Sequence, residues 1–191
     1  MDEGKVNPSV VSLDERVRLL KNSNEKIREL AVRLFGGAVS ANRREVAEKY
    51  RPALTMTASS AAGLKIVERV CAKCHKIDGK GYEAGPDISD VRNRSREALL
   101  YDILDPNAKV EPRFTDYTVV LVDGRVFNGL MVSETADAVI LKQAENKQQI
   151  ITRNDIELIR ASGKSLMPEG VEKEITIQQM ADLLEYLKAR D

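Results

Sequence analysis

The chain of 191 residues is long enough for one or two domains, and its 42% hydrophobic and 31% charged residues are ordinary for a globular protein. The 30 Lys and Arg residues balance 30 Asp and Glu residues, and 4% of residues are aromatic. This balance disfavours nucleic acid or an anionic membrane surface as a partner, and no apolar run reaches the roughly 18–20 residues that span a bilayer.

The first part of the chain is predicted to be helical. Apolar residues recur at helical spacing in two short stripes, which are Leu13, Val17 and Leu20, then Ile27, Leu30, Ala31 and Leu34. A third helix follows, capped by Ser40 and closed before Pro52, since the residue that precedes a proline avoids the helical region. Residues 1–57 are therefore predicted to be a repeat-like helical segment with a linker.

Two more helices are predicted before the pattern changes. Residues 58–70 read as an amphipathic helix that leads into Cys71, and a loop follows to about residue 94. Ser95 is the expected N-cap of a helix with the sequence REALLYDIL, which carries Glu97 in its first turn. The sequence DPN at 105–107 is expected to stop that helix.

The apolar period then changes to two, which predicts strands. Tyr117, Val119 and Leu121 alternate with residues of the opposite face, and Asp123 with Gly124 is a strong hairpin signal. Five short strands predict an inserted antiparallel β module over residues 111–161, either a small SH3- or Sm-like barrel or a curled sheet. Gly129, inside the second strand, predicts a bend or bulge there.

The chain returns to a helix at its end. Thr176 and Gln179 have the spacing of a capping box. A core stripe follows at helical spacing, formed by Ile177, Met180, Leu184 and Leu187. The predicted fold class is α+β, with a mainly helical domain made from residues 58–110 and 162–191 and interrupted by the β module.

Both cysteines and the only histidine of the chain lie in one short motif, with Cys71, Cys74 and His75 in the sequence CAKCH. Two thiols three positions apart suit thioether bonds to the two vinyl groups of haem, and the next residue then lies beneath the iron. Zinc would need a carboxylate to complete its ligands, because the chain has no other Cys or His. A redox dithiol normally follows a strand, whereas this motif follows a helix. The context favours haem over zinc or a redox dithiol.

The residues around the motif resemble those of bacterial mono-haem cytochromes c. Gly63 and Val67 stand where that family packs its first helix against its last, and Leu183 and Tyr186 match the usual partners in the last helix. The sequence GPDI at 85–88 resembles the loop after the haem motif. The resemblance implies that the carbonyl of Pro86 accepts the ring N–H of the axial histidine.

A narrower resemblance extends from about residue 58 to the end. The segments GPDI, RSREALLYDILDPNAKVEPRF, DGRVFNGLMVSET, SLMPEG and DLLEYL resemble the C-terminal haem-binding domain of large multidomain proteins of planctomycetes and verrucomicrobia. Residues 12–52 resemble the helical part that precedes that domain. The resemblance implies a mainly α cytochrome c fold with one covalent haem c, held by Cys71 and Cys74. The implied axial ligands are His75 and Met167, the latter in the loop GKSLMPEG.

The function expected from this resemblance is electron transfer rather than catalysis. The donor would be a redox partner protein or a fused dehydrogenase domain, with no nucleic-acid partner. The alternative is a haem-based ligand sensor or peroxidase-like site with a labile distal Met. The β module is expected to be a lid over one haem edge, or else a docking surface. Arg92, Arg94 and Arg96 are candidate partners of the haem propionates, and a solvated basic stretch is the other interpretation.

A periplasmic location is expected, because haem is attached to apocytochromes outside the bacterial cytoplasm. The N-terminal sequence MDEGKVNPSVVSLDE is polar and acidic, unlike a signal peptide. We therefore expect the natural protein to carry a targeting segment that this sequence lacks.

Overall fold

The computed structural model describes residues 19, 22–31 and 40–189. The chain divides into two compact units, Met1–Val46 and Ala47–Asp191. Helix α1 spans Glu25–Ala31, and α2 spans Ser40–Tyr50, so α2 includes the serine that was predicted to precede it as a cap. Of the predicted stripe on α1, Ala31 is buried but Ile27 and Leu30 are exposed. The stripe of Leu13, Val17 and Leu20, together with Leu34 of the second stripe, lies outside the described residues.

The remaining helical elements lie in the second unit. They are a 3₁₀ turn at Arg51–Leu54, α3 at Ser60–Ile66, a π-helical turn at Val67–Cys71, 3₁₀ turns at Val91–Asn93 and Pro112–Phe114, α4 at Arg96–Leu104, a 3₁₀ turn at Val171–Lys173 and α5 at Ile177–Ala189. The helix predicted over 58–70 is thus confirmed with a different last turn. There the N–H of Ala72 donates to the carbonyl of Val67, five residues back, at 2.8 Å. Such wide turns occur often at functional sites.

The predicted caps of α4 and α5 are confirmed. The hydroxyl of Ser95 accepts the N–H of Ala98 at 3.0 Å, so α4 starts where the sequence indicated. Thr176 and Gln179 form a reciprocal capping box: the N–H of Thr176 donates to the Gln179 side chain at 2.9 Å, and the N–H of Gln179 donates to Oγ1 of Thr176 at 3.2 Å. The apolar stripe behind this box lies in the helical core, with Met180, Leu184 and Leu187 buried.

Helices α3 and α5 cross at very short range over Gly63. A Cβ atom at this position would lie 2.0 Å from the carbonyl oxygen of Asp182 and 2.6 Å from Cβ of Tyr186. The carboxylate of Asp182, itself buried, accepts the backbone N–H of Ser59 at 2.8 Å. The last helix therefore also satisfies a backbone donor at the start of α3, and only glycine allows this approach.

Five antiparallel strands form one sheet in the inserted module. They are β3 at Thr115–Leu121, β4 at Val126–Glu134, β5 at Ala138–Lys142, β6 at Gln148–Thr152 and β7 at Ile156–Ser165; β1 at Lys76–Ile77 and β2 at Lys80–Gly81 form a separate small hairpin. The order in the large sheet is β6-β5-β4-β3-β7, and the first and last residues of the sheet, Thr115 and Ser165, are paired, so the sheet extends four residues past the predicted end of the module. The module has its own apolar core, built on Val119, Leu121, Val139, Leu141 and Ile151.

Of the two forms predicted for the β module, a barrel or a curled sheet, the barrel is wrong, because the five-stranded sheet is open. A barrel needs a ladder between its first and last strands, but β6 and β7 form opposite edges of this sheet. The chain leaves β6 through a 3₁₀ turn at Arg153–Asp155 and enters β7 directly at the other edge. The five strands and the Asp123–Gly124 hairpin are confirmed.

The bulge predicted at Gly129 lies elsewhere. Gly129 keeps its register opposite Tyr117, and the irregularity of β4 falls between Met131 and Ser133. This position requires glycine for a different reason, because a Cβ atom there would lie 2.7 Å from the carbonyl oxygen of Lys142 on β5. It marks a close approach of two strands, the other usual reason for a glycine inside a strand.

No helix within the described ranges is long and apolar enough to cross a membrane.

Candidate functional site

The π-helical turn at the end of α3 delivers the two cysteines and the histidine to one tight turn. The N–H groups of Cys74 and His75 both donate to the carbonyl of Cys71, at 3.0 and 2.9 Å. Both cysteines are free thiols and partly buried. The turn therefore presents two thiols and one imidazole from five consecutive residues, as the motif predicted.

A return segment, residues 82–86, folds back against this turn. The N–H of Gly85 donates to the carbonyl of Cys74 at 2.7 Å, and Nδ1 of His75 lies 2.8 Å from the carbonyl oxygen of Pro86. A carbonyl oxygen only accepts, so Nδ1 carries the proton in this bond and Nε2 keeps its lone pair. The contact implied for Pro86 is present.

Two glycines allow the return segment to lie this close, and their roles were not predicted. A Cβ atom on Gly85 would lie 2.7 Å from Cε1 of His75, so glycine lets the segment pass over the face of the ring. Gly81 has φ of 90°, and a Cβ atom there would lie 2.3 Å from the His75 carbonyl oxygen. The glycine of GPDI is the signal in the sequence for this close approach.

The electrostatics of the motif disfavour the redox-dithiol interpretation. Burial, with a smaller contribution from Cys74, raises the pKa of the Cys71 thiol to about 12, and burial also raises the pKa of Cys74. Reactive dithiol sites instead lower these pKa values. Burial lowers the pKa of His75, against the opposing bond to Pro86, so the ring is neutral at pH 7 and its Nε2 can bind a metal.

The zinc interpretation also lacks support. Among the described residues, no group of three or more His, Cys, Asp and Glu side chains is arranged to hold a metal ion. A structural zinc site normally has four protein ligands. The site offers two thiols and one imidazole nitrogen, which suits a cofactor that brings its own metal.

Met167 lies in a separate loop that begins where β7 ends. Its N–H donates to the hydroxyl of Ser165 at 3.1 Å. Asn107, after α4, holds both sides of this loop: its Oδ1 accepts the N–H of Ser165 at 2.8 Å, and its Nδ2 donates to Glu169 at 2.5 Å. The structure thus brings Cys71, Cys74, His75 and Pro86 together and places the partly buried Met167 in another loop. Asn107 was not predicted, because nothing local marks its role.

Three other methionines have different surroundings. Met180 is fully buried on α5, which confirms its predicted packing role, and Met131 packs against the core of the β module. Met56, before α3, is 37% exposed. It therefore offers a matched control for substitutions at Met167.

Two of the arginines considered for the haem propionates already have acidic partners. Arg94 pairs with Asp102 at 2.6 Å, and Arg96 pairs with Glu185 at 2.7 Å. The side chains of Arg96 and Glu185 are less exposed than those of Arg94 and Asp102, and their pair joins α4 to α5. Arg96 also contacts the carbonyl of Ala181 at 3.4 Å. The acidic partner weighs against a propionate role for Arg94, whereas Nε of Arg96 is a buried donor without a hydrogen-bond partner among the described residues.

Comparison with known proteins agrees with this geometry. The family model described as Cytochrome c matches residues 60–118, and no curated protein matches the chain. Cys71 and Cys74 form a C-x-x-C-H motif with His75 inside the matched segment. Residues 60–118 are therefore similar to a cytochrome c domain. Such a domain binds haem c covalently and implies a haem-binding electron-transfer protein with a redox partner. Proteins of this family are usually non-enzymatic electron carriers and are typically extracytoplasmic.

Proposed function

We propose that Cys71 and Cys74 hold one haem c as thioethers and that His75 is its proximal axial ligand, in a module that passes electrons. The observation that carries this proposal is the 2.8 Å bond from Nδ1 of His75 to the carbonyl of Pro86. It fixes the tautomer and the orientation of the ring, and it leaves Nε2 as the nitrogen available to iron. Bound haem c supplies a one-electron Fe(III)/Fe(II) couple.

The surrounding residues fit this group. The free thiols at Cys71 and Cys74 are presented on one turn, and their raised pKa values leave them as neutral thiols, not thiolates, at pH 7. The absence of a side chain at Gly85 leaves room for the imidazole of His75. Pro86 orients that imidazole without adding a charge next to the metal.

Met167 is proposed as the distal axial ligand. Support comes from its place in an irregular, partly buried loop that Asn107 holds on two sides, and from the resemblance of SLMPEG to the ligand loop of the planctomycete and verrucomicrobial domains. A thioether ligand raises the reduction potential and closes the iron to small ligands. The module then tunes a potential and exposes an edge for electron transfer.

The electron donor is proposed to be a dehydrogenase-type protein or domain in the periplasm. The proposal rests on the narrower resemblance, in which the haem-binding domain accompanies a dehydrogenase-like domain.

The first test is the mass and visible spectrum of protein matured in a host that attaches haem c. We expect the mass of one covalent haem, absent from a Cys71→Ser and Cys74→Ser double variant. Wild-type protein that leaves such a host without covalent haem would overturn the proposal.

A second test concerns the axial ligands. Met167→Ala should remove the thioether signature from the ferric absorption and NMR spectra, whereas the control Met56→Ala should keep it. An unchanged Met167→Ala spectrum would exclude Met167 as a ligand. Ready binding of carbon monoxide by the reduced wild-type protein at neutral pH would instead favour the ligand-sensor or peroxidase-like alternative.

A further inference from the structure

The turn between β5 and β6 has an unusual backbone. This β5–β6 turn is the 3₁₀ segment Ala144–Asn146, in which Glu145 and Asn146 have φ values of 58° and 54°. Asn tolerates this left-handed conformation, but Glu does not favour it. Strained residues of this kind persist where the surrounding contacts hold them, and they are frequent at functional sites.

The contacts that hold the turn come from the haem-attachment region. The N–H of Glu145 donates to the carbonyl of Lys73 at 2.7 Å. The side-chain oxygen of Asn146 accepts the N–H of Glu83 at 3.0 Å, and Nζ of Lys142, at the end of β5, lies 3.4 Å from the carbonyl oxygen of Glu83. One turn of the β module thus bonds to two separate segments of the helical domain.

Those two segments are the ones that define the site. Lys73 stands between the two cysteines, and Glu83 belongs to the return segment, two residues before Gly85. Two hydrogen bonds join these segments directly, from Gly85 to Cys74 and from His75 to Pro86. The β5–β6 turn joins them a second time, because it bonds to Lys73 in one segment and to Glu83 in the other.

We propose that the β5–β6 turn is a clamp that holds the haem-attachment turn against its return segment, with Asn146 as a positioning residue. The inference rests on the proposed function, and it gives the inserted module a role other than lid or partner dock. The clamp keeps the Cys71–His75 turn and the return segment in the register that lets the carbonyl of Pro86 meet Nδ1 of His75. Its loss should loosen the return segment and admit water to the site.

The test uses the haem-loaded protein and three variants. Asn146→Gly removes the acceptor for Glu83 but suits a positive φ, so it deletes the contact without straining the turn. Asn146→Asp restores an acceptor oxygen. Asn154→Gly, at an exposed asparagine in the 3₁₀ turn between β6 and β7, controls for an Asn-to-Gly change elsewhere in the module. Amide hydrogen exchange in the reduced state and the midpoint potential are measured for each.

In Asn146→Gly, the amide of Glu83 should exchange about fivefold faster, the factor expected for one lost hydrogen bond, and exchange at Gly85 should also accelerate. The midpoint potential should fall, because water entering the site stabilises the more highly charged ferric state. Asn154→Gly should match wild type in both measurements, and Asn146→Asp should recover slow exchange.

Exchange and potential that stay at wild-type values in Asn146→Gly would overturn the clamp while leaving the proposed function intact. Equal effects in Asn154→Gly would also overturn it, because they would show a general loosening of the module. Wild-type protein without covalent haem would overturn the proposed function, and the clamp with it.

Discussion

Replacing Gly63 by alanine is a direct test of how α3 packs against α5. The added Cβ atom would lie 2.0 Å from the carbonyl oxygen of Asp182 and 2.6 Å from Cβ of Tyr186. Neither neighbour is the flexible end of a side chain, so the helices must separate by roughly 1 Å or more to remove the overlap. That movement also lengthens the bond from Ser59 to the Asp182 carboxylate.

Two terms of opposite sign set the size of the effect. Overpacking a well-packed contact costs about 1–3 kcal/mol, and this overlap with backbone atoms belongs near the upper end. Alanine recovers about 0.5–1 kcal/mol over glycine inside a helix. We therefore expect Gly63→Ala to lower the free energy of unfolding by about 2 kcal/mol, which for a chain of this size corresponds to a Tm lower by about 4–8 °C.

Circular dichroism at 222 nm, followed through thermal and guanidinium unfolding of the haem-loaded protein, measures this change. Ala61→Gly is the matched control, because Ala61 is exposed on the same helix. It should lose about 1 kcal/mol or less, from helix propensity alone. If Gly63→Ala is as stable as wild type, or more stable, the close helix crossing does not exist in solution and the argument from packing is refuted.

Three further predictions concern the site and the β module. Gly85→Ala should displace the imidazole of His75, since the new Cβ atom would lie 2.7 Å from its Cε1, and should shift both the ferric spectrum and the midpoint potential. Asn107→Ala removes both side-chain bonds that hold the Met167 loop, so carbon monoxide should bind the reduced variant faster than wild type. Burial raises the pKa of Asp116, so this side chain binds its proton more tightly in the folded than in the unfolded state, and the folded state loses stability as the pH rises through that range. Asp116→Asn should therefore unfold at higher denaturant than wild type at pH 7, and the difference should shrink as the pH falls towards 4.

Each of these predictions has a matched control. Gly79→Ala adds a methyl group in the nearby β1–β2 turn, where no atom lies within 4 Å but a φ of 77° strains the alanine backbone. A spectrum shifted equally by both glycine variants would therefore contradict the contact argument. Asn154→Ala, at an exposed asparagine of the β module, should bind carbon monoxide at the wild-type rate. Asp137→Asn changes an exposed aspartate of the same module. A stability difference for Asp116→Asn that is constant with pH would exclude a titration effect.

Local rules were sufficient for the elements whose causes lie within a few residues. Helix α4 begins and ends where the serine cap and DPN indicated, and the capping box of α5 forms both of its bonds. The turn that carries Cys71 and His75 was likewise readable, because its chemistry depends on consecutive residues.

The features that the sequence did not predict correctly depend on contacts between residues that are distant in the sequence. Whether five strands close into a barrel depends on a ladder between strands at opposite edges, which no local pattern encodes. The roles of Asn107 and Asn146 depend on bonds to residues 58 and 63 positions away in the sequence. Gly129 was correctly identified as special, but close strand approach and a bulge give the same signal in a sequence.

The pairing of Thr115 with Ser165 has a topological consequence for the whole domain. The chain leaves the helical domain and returns to it at adjacent points, and the bond from Leu166 to the carbonyl of Phe114 extends that junction by one more step. For the helices on either side, the whole sheet therefore acts as a short connection. The entropy cost of closing this long loop is offset by the interactions that fold the sheet itself. A change of length within the strands or turns of the sheet therefore leaves the distance between these two helical segments unchanged.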